Sequence, residues 1–118
     1  MFIKKLALLL IIGGISSCYY DVEDELYITN NCELPVEISF ESDVNPIIQQ
    51  SCAISGCHTS ENQVRVNLEN YTGVISTIEN GSFQSYTFDN LSMPPASPLD
   101  ACTIELLKNW INNGSLNN

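Results

Sequence analysis

Apolar residues recur at helical spacing in three stretches of the chain. In the first, Val44, Ile47 and Ile48 share one face, which predicts a helix over residues 44–51. Ser42 or Asp43 would cap it, and Pro46 falls in the first turn, where a missing N–H is tolerated. In the second, Tyr71, Val74, Ile75 and Ile78 predict a helix over residues 71–80, capped by Asn70 and stopped by Gly81. The third carries Ile104, Leu107, Trp110 and Ile111 on one face, beginning after Asp100 and ending before Gly114, with Lys108 nearer the negative end of its dipole. Residues 82–99 between the last two read as a loop, because Met93-Pro94-Pro95 and Pro98 favour extended backbone. The pattern predicts an all-α domain with three main helices.

The N-terminal pattern is different in kind. Lys4 and Lys5 precede an apolar run, Leu6 to Ile12, that is too short to span a bilayer and has the layout of a secretory signal. Ile15-Ser16-Ser17-Cys18 follows and resembles a bacterial lipobox, in which the Cys18 thiol receives lipid and becomes the first mature residue. The simpler alternative is a signal peptide cut near an incidental cysteine. Residues 18–31 carry Asp21, Glu23, Asp24 and Glu25 without helical or strand period, as a flexible acidic tether would. The division expected is a signal peptide at 1–17, a tether at 18–31 and a folded domain at 32–118. The protein is expected to be exported and lipid-anchored to the bacterial outer membrane, facing the periplasm or the cell surface.

A chain of 118 residues leaves room for one small domain, whose core is marginal without a cross-link or cofactor. Fourteen Asp and Glu oppose four Lys and Arg, a formal charge of −10. Losing Lys4 and Lys5 with the signal would leave two basic residues against fourteen acidic ones, or −12. Such a charge argues against nucleic acid as a partner and suits either solubility or steering toward a basic redox protein.

The candidate chemistry lies in Cys52-Ala53-Ile54-Ser55-Gly56-Cys57-His58. Two thiols ending in Cys-His are what thioether attachment of haem requires, with the adjacent imidazole placed as the proximal iron ligand. His58 is the chain's single histidine. The usual spacing puts two residues between the cysteines; here four intervene, and Gly56 supplies the freedom for the loop to bulge. The competing assignment joins Cys52 to Cys57 as a local disulfide and leaves His58 incidental. Apart from Met1, Met93 is the sole methionine, and its proline-locked loop suits a second axial ligand better than a core filler. With Cys18 assigned to lipid and Cys52 and Cys57 to haem, Cys32 and Cys102 remain as a disulfide, worth about 4 kcal/mol from loop-closure entropy.

From Cys32 to Asn118 the chain resembles the small single-haem cytochrome c domains of bacterial lipoproteins, of the kind found in Bacteroidetes and planctomycetes. The matching pieces are Ser42-Asp43-Val44-Asn45-Pro46-Ile47-Ile48, Ser55-Gly56-Cys57-His58, Asn67-Leu68 with Tyr71 to Val74, Ser92-Met93-Pro94-Pro95, and Trp110-Ile111 to Gly114. The resemblance implies a class I cytochrome c-like fold around one covalent haem c. Cys52 and Cys57 would carry the thioethers, and His58 and Met93 would be the axial ligands. It also implies that the first and last helices cross near one haem edge, with Trp110 close to the porphyrin.

These readings lead to one-electron transfer with redox protein partners. No second histidine is present as a general base, and no Ser/His or Cys/His pair lies outside the haem motif, so no enzymatic activity is expected. The alternative is a haem-free lipoprotein with two disulfides, acting as a binding or structural module; a third is a gas-sensing haem domain with a labile Met93. The lipobox assignment predicts that Cys18→Ala abolishes incorporation of a clickable fatty acid in cells, measured by in-gel fluorescence.

Overall fold

The computed structural model describes residues 32–118. Among them every regular element is helical, in keeping with the all-α expectation. A π-helical turn, Phe40–Val44, runs directly into helix α1, Asn45–Ser51; α2 is Tyr71–Glu79, a second π-helical segment is Gln84–Asp89, and α3 is Ala101–Asn112. No helix among the described residues is long and apolar enough to cross a membrane. The signal peptide, the lipidation site at Cys18 and the acidic tether all lie outside the described residues.

The cap expected at Asn70 is in place, and α3 begins after Asp100 as expected, with Asp100 as its cap. The Asn70 side chain accepts from Gly73 N at 2.9 Å, and Asp100 accepts from Thr103 N at 3.0 Å. Hydrogen bonds from the Thr103 hydroxyl and amide hold the Asp100 carboxyl below its usual range. At the other ends, Gly81 and Gly114 take φ of +78° and +98°, as residues following a helix often do.

The first helix departs from expectation at its start. Ser42 and Asp43 lie inside the π turn, and the cap is Ser39. Ser39 Oγ accepts from Ser42 N at 3.3 Å, while Ser39 N donates to Asp43 Oδ2 at 2.8 Å, a capping box widened by one residue. The far end of the domain completes the cap: Glu41 N and Ser39 Oγ donate to the Asn118 carbonyl at 3.0 and 2.6 Å, and Phe40 N donates to its side chain at 3.1 Å.

The helices meet through aromatic and branched side chains. Val44, Ile48 and Val74 are fully buried, and Leu107 and Trp110 nearly so. The Phe40 ring stands edge-on to Tyr71, centroids 5.1 Å apart, and lies 5.6 Å from Trp110. Both polar tips are satisfied by the C-terminal segment: Tyr71 OH donates to Ser115 O at 2.7 Å, and Trp110 Nε1 donates to Leu116 O at 3.0 Å. Lys108 lies outside the last turn of α3, and its ammonium sits 5.2 Å from the centroid of the Phe88 ring. Cys32 is joined to Cys102, with Cα atoms 5.4 Å apart, which ties the start of the domain to the first turn of α3.

Gly73 is where backbone approaches backbone. A Cβ there would run into the Asn67 carbonyl, so the segment before α2 packs directly on the helix. An alanine in place of a helical glycine ordinarily stabilises by about 1 kcal/mol. Gly73→Ala should instead destabilise by roughly 2 kcal/mol or more, because the obstacle is main chain; urea denaturation of both forms measures the sign.

Candidate functional site

The turn carrying the two cysteines is built by the end of α1. Cys52 N and Ala53 N both donate to the Ile48 carbonyl at 2.8 Å, which closes the helix. Ile54 to Cys57 then forms a turn, with Cys57 N on Ile54 O at 2.9 Å and Gly56 at φ +78°. Nothing lies near an added Cβ at Gly56, so backbone conformation is the reason for glycine there. His58 N finally reaches back to Cys52 O at 3.2 Å. The four intervening residues are thus absorbed: Ala53 is buried, while Ile54, Ser55 and Gly56 bulge outward.

His58 is half-buried and fixed on both sides. Its carbonyl accepts from Leu68 N at 2.9 Å, and its Nδ1 lies 2.8 Å from the Val66 carbonyl. A carbonyl can only accept, so Nδ1 is the donor, and in the tautomer this selects the lone pair lies on Nε2. This is the arrangement of a metal-binding imidazole oriented by a main-chain acceptor. The returning segment is itself tied down by Glu69, whose carboxylate accepts from Ser60 N at 2.8 Å and is held below its usual range by that bond.

Met93 is presented from the opposite part of the chain. The stretch 82–99, read from sequence as a loop, contains the π-helical segment Gln84–Asp89. Thr87 and Phe88 bury that segment, with Phe88 edge-on to Phe83 at 5.7 Å, so hydrophobic packing overrides the loop expectation upstream of the prolines. Beyond it, Ser92 N and Met93 N donate to Tyr86 O at 2.9 and 3.1 Å, and Ser92 Oγ donates to the same oxygen at 3.3 Å.

These pieces enclose one cavity of about 550 Å³. Cys52, Cys57, His58 and Met93 all line it, together with Leu68, Phe83, Tyr86 and Pro94. Its size lies within the roughly 300–1,000 Å³ typical of ligand sites. Cys52 and Cys57 are free thiols. Burial, and secondarily the neighbouring Cys57, push the Cys52 thiol up to about 11, so it is protonated at neutral pH. The donor set fits a covalently held haem: two thiols, one imidazole with an available Nε2 and one thioether converge on a largely apolar space. No cluster of three or more His, Cys, Asp or Glu that could hold a bare metal ion occurs among the described residues. Trp110 packs in the core against Phe40 and does not line the cavity.

Sequence reasoning missed three participants. Arg65 lines the cavity and donates from Nη1 to Gly56 O at 3.3 Å, bracing the cysteine turn; its being the only arginine of the chain was the available signal. The carbonyls of Val66 and Tyr86 have no signature in side-chain sequence. Comparison with protein-family profiles, curated proteins and solved structures returns no match.

The raised Cys52 value makes a chemical prediction for the haem-free protein. At pH 8, iodoacetamide should modify Cys52 on the order of a hundredfold more slowly than in the unfolded chain. The rate should climb about tenfold per pH unit toward pH 11. Because the folded value lies above the unfolded one, the stability contributed by the buried thiol is complete below about pH 8.5 and lost as pH rises through 11. Mass spectrometry of quenched samples follows the alkylation.

Proposed function

We propose that the chain is a single-haem c-type cytochrome that transfers electrons one at a time in the bacterial cell envelope. The observation that carries the reading is the convergence of Cys52, Cys57, His58 and Met93 on one cavity from separate parts of the chain. Cys52 and Cys57 would hold the haem through thioethers, with His58 and Met93 as axial ligands. When bound, the haem supplies a one-electron iron couple.

The protein's own groups tune that site. His58 Nδ1–H, donated to Val66 O, fixes the ring and raises the basicity of Nε2. Met93 offers a soft, neutral sulfur, which favours ferrous iron, and the apolar walls disfavour added positive charge in the same direction. With His58 and Met93 both holding the haem, the site would serve electron transfer and would leave no open position for a substrate. The acidic chain, lipid-anchored at Cys18, would then meet redox partners with basic docking faces. The competing haem-free module would join Cys52 to Cys57 beside the Cys32–Cys102 bridge, and it predicts a colourless protein.

Expression with cytochrome c maturation machinery tests the reading. A pyridine haemochrome spectrum of thioether-linked haem is expected for the wild type, with loss of covalent attachment in Cys52→Ala and Cys57→Ala. Met93→Ala should retain haem and gain carbon monoxide binding in the reduced state. A colourless wild-type protein would sink the proposal.

A further inference from the structure

We propose that the main-chain carbonyl of Tyr86 is the anchor that fixes Met93 at the cavity, with Ser92 as a positioning residue; this rests on reading Met93 as an iron ligand. The π-helical segment Gln84–Asp89 closes with Asn90 N on Ser85 O at 3.0 Å. Continued in the same way, the helix would bring Leu91 N to Tyr86 O. Instead Leu91 takes φ +49°, a left-handed conformation uncommon for a branched residue, and the chain reverses. The Tyr86 carbonyl thereby receives Ser92 N, Met93 N and Ser92 Oγ.

Three donors from two consecutive residues meet one oxygen, and one of those residues is Met93. Displacing the methionine backbone therefore breaks at least one of these bonds. The anchor is itself held in place: Thr87 and Phe88, the next two residues, are buried, and Phe88 is wedged against Phe83 with Lys108 over its ring. Tyr86 also lines the cavity, as does Met93, so the residue that supplies the acceptor and the one it positions border the same space. Segments of π-helix are often found where a side chain must be placed for function. Here the wider turn leaves the Tyr86 carbonyl available to donors beyond the helix end. Supporting bonds of this kind set how readily a weak axial ligand yields to a competitor.

The test uses full-length ferric protein matured with haem, titrated with imidazole and followed by its optical spectrum, with thermal unfolding recorded alongside. Ser92→Ala removes one of the three donors and should raise imidazole affinity roughly fivefold, the equivalent of about 1 kcal/mol for one net hydrogen bond. Leu91→Pro forbids the reversal, since proline holds φ near −65°, and should raise affinity at least about tenfold with loss of the methionine-to-iron charge-transfer band. Leu91→Gly accommodates the positive φ and should match the wild type in both readouts. A merely structural role would lower the unfolding midpoint without moving imidazole affinity. Should Leu91→Pro fail to fold, Ser92→Ala against wild type decides. Haem-loaded Ser92→Ala and Leu91→Pro that bind imidazole within about twofold of wild type overturn the anchor alone, whereas a wild type that never acquires covalent haem overturns the ligand assignment and the anchor with it.

Discussion

The site depends on how one histidine is pinned. His58 is held by its amide to Cys52 O, by its carbonyl to Leu68 N and by its ring to Val66 O. The last two contacts exist only if the chain leaves at Thr59 and returns eight to ten residues after His58 in fixed register. That return is enforced by packing: Leu68 is buried, and the Asn67 carbonyl presses on α2 where only glycine fits. The orientation of an imidazole is thus determined by a helix that contributes no ligand. Main-chain acceptors impose this geometry without adding ionisable groups to an apolar space.

Met93 follows the same logic with different parts. It is placed by a carbonyl, and that carbonyl is placed by the burial of Thr87 and Phe88. Both placements draw on a core of modest size, in which eleven hydrophobic residues are buried among the described residues. A domain this small that also maintains a cavity has little surplus stability, which the Cys32–Cys102 cross-link supplements and an apolar occupant of the cavity would supplement further.

The three α-helices were legible because their apolar residues repeat at the α-helical period, and α2 and α3 also because Asn70 and Asp100 cap them through neighbours three residues away. The start of the first helix was not, since a π turn breaks that period and its cap relies on Asn118, seventy-eight residues from Phe40. The second π segment was hidden for a related reason: it buries adjacent residues, Thr87 and Phe88, instead of a helical stripe. Cys52, Cys57, His58 and Met93 could be nominated by residue type and neighbours, and the structure brings them to one cavity. The Cys32–Cys102 pairing, reached by cysteine arithmetic, is present. What sequence could not supply were the two carbonyls that aim the imidazole and the thioether, because every residue has a carbonyl and only the fold decides which are used.

The disulfide turns residues 32–102 into a covalent ring, and that ring contains Cys52, Cys57, His58 and Met93. The exposed stretch around Gln63 to Val66 lies within it, between His58 and Met93. A protease that nicks the chain there therefore opens the ring without releasing either arc. The piece bearing Cys52, Cys57 and His58 stays linked through Cys32 to the piece bearing Met93 and Cys102. Damage that would split an uncrosslinked domain into two halves leaves this one a single molecule, and whether it survives then depends on the thiol redox state of its compartment.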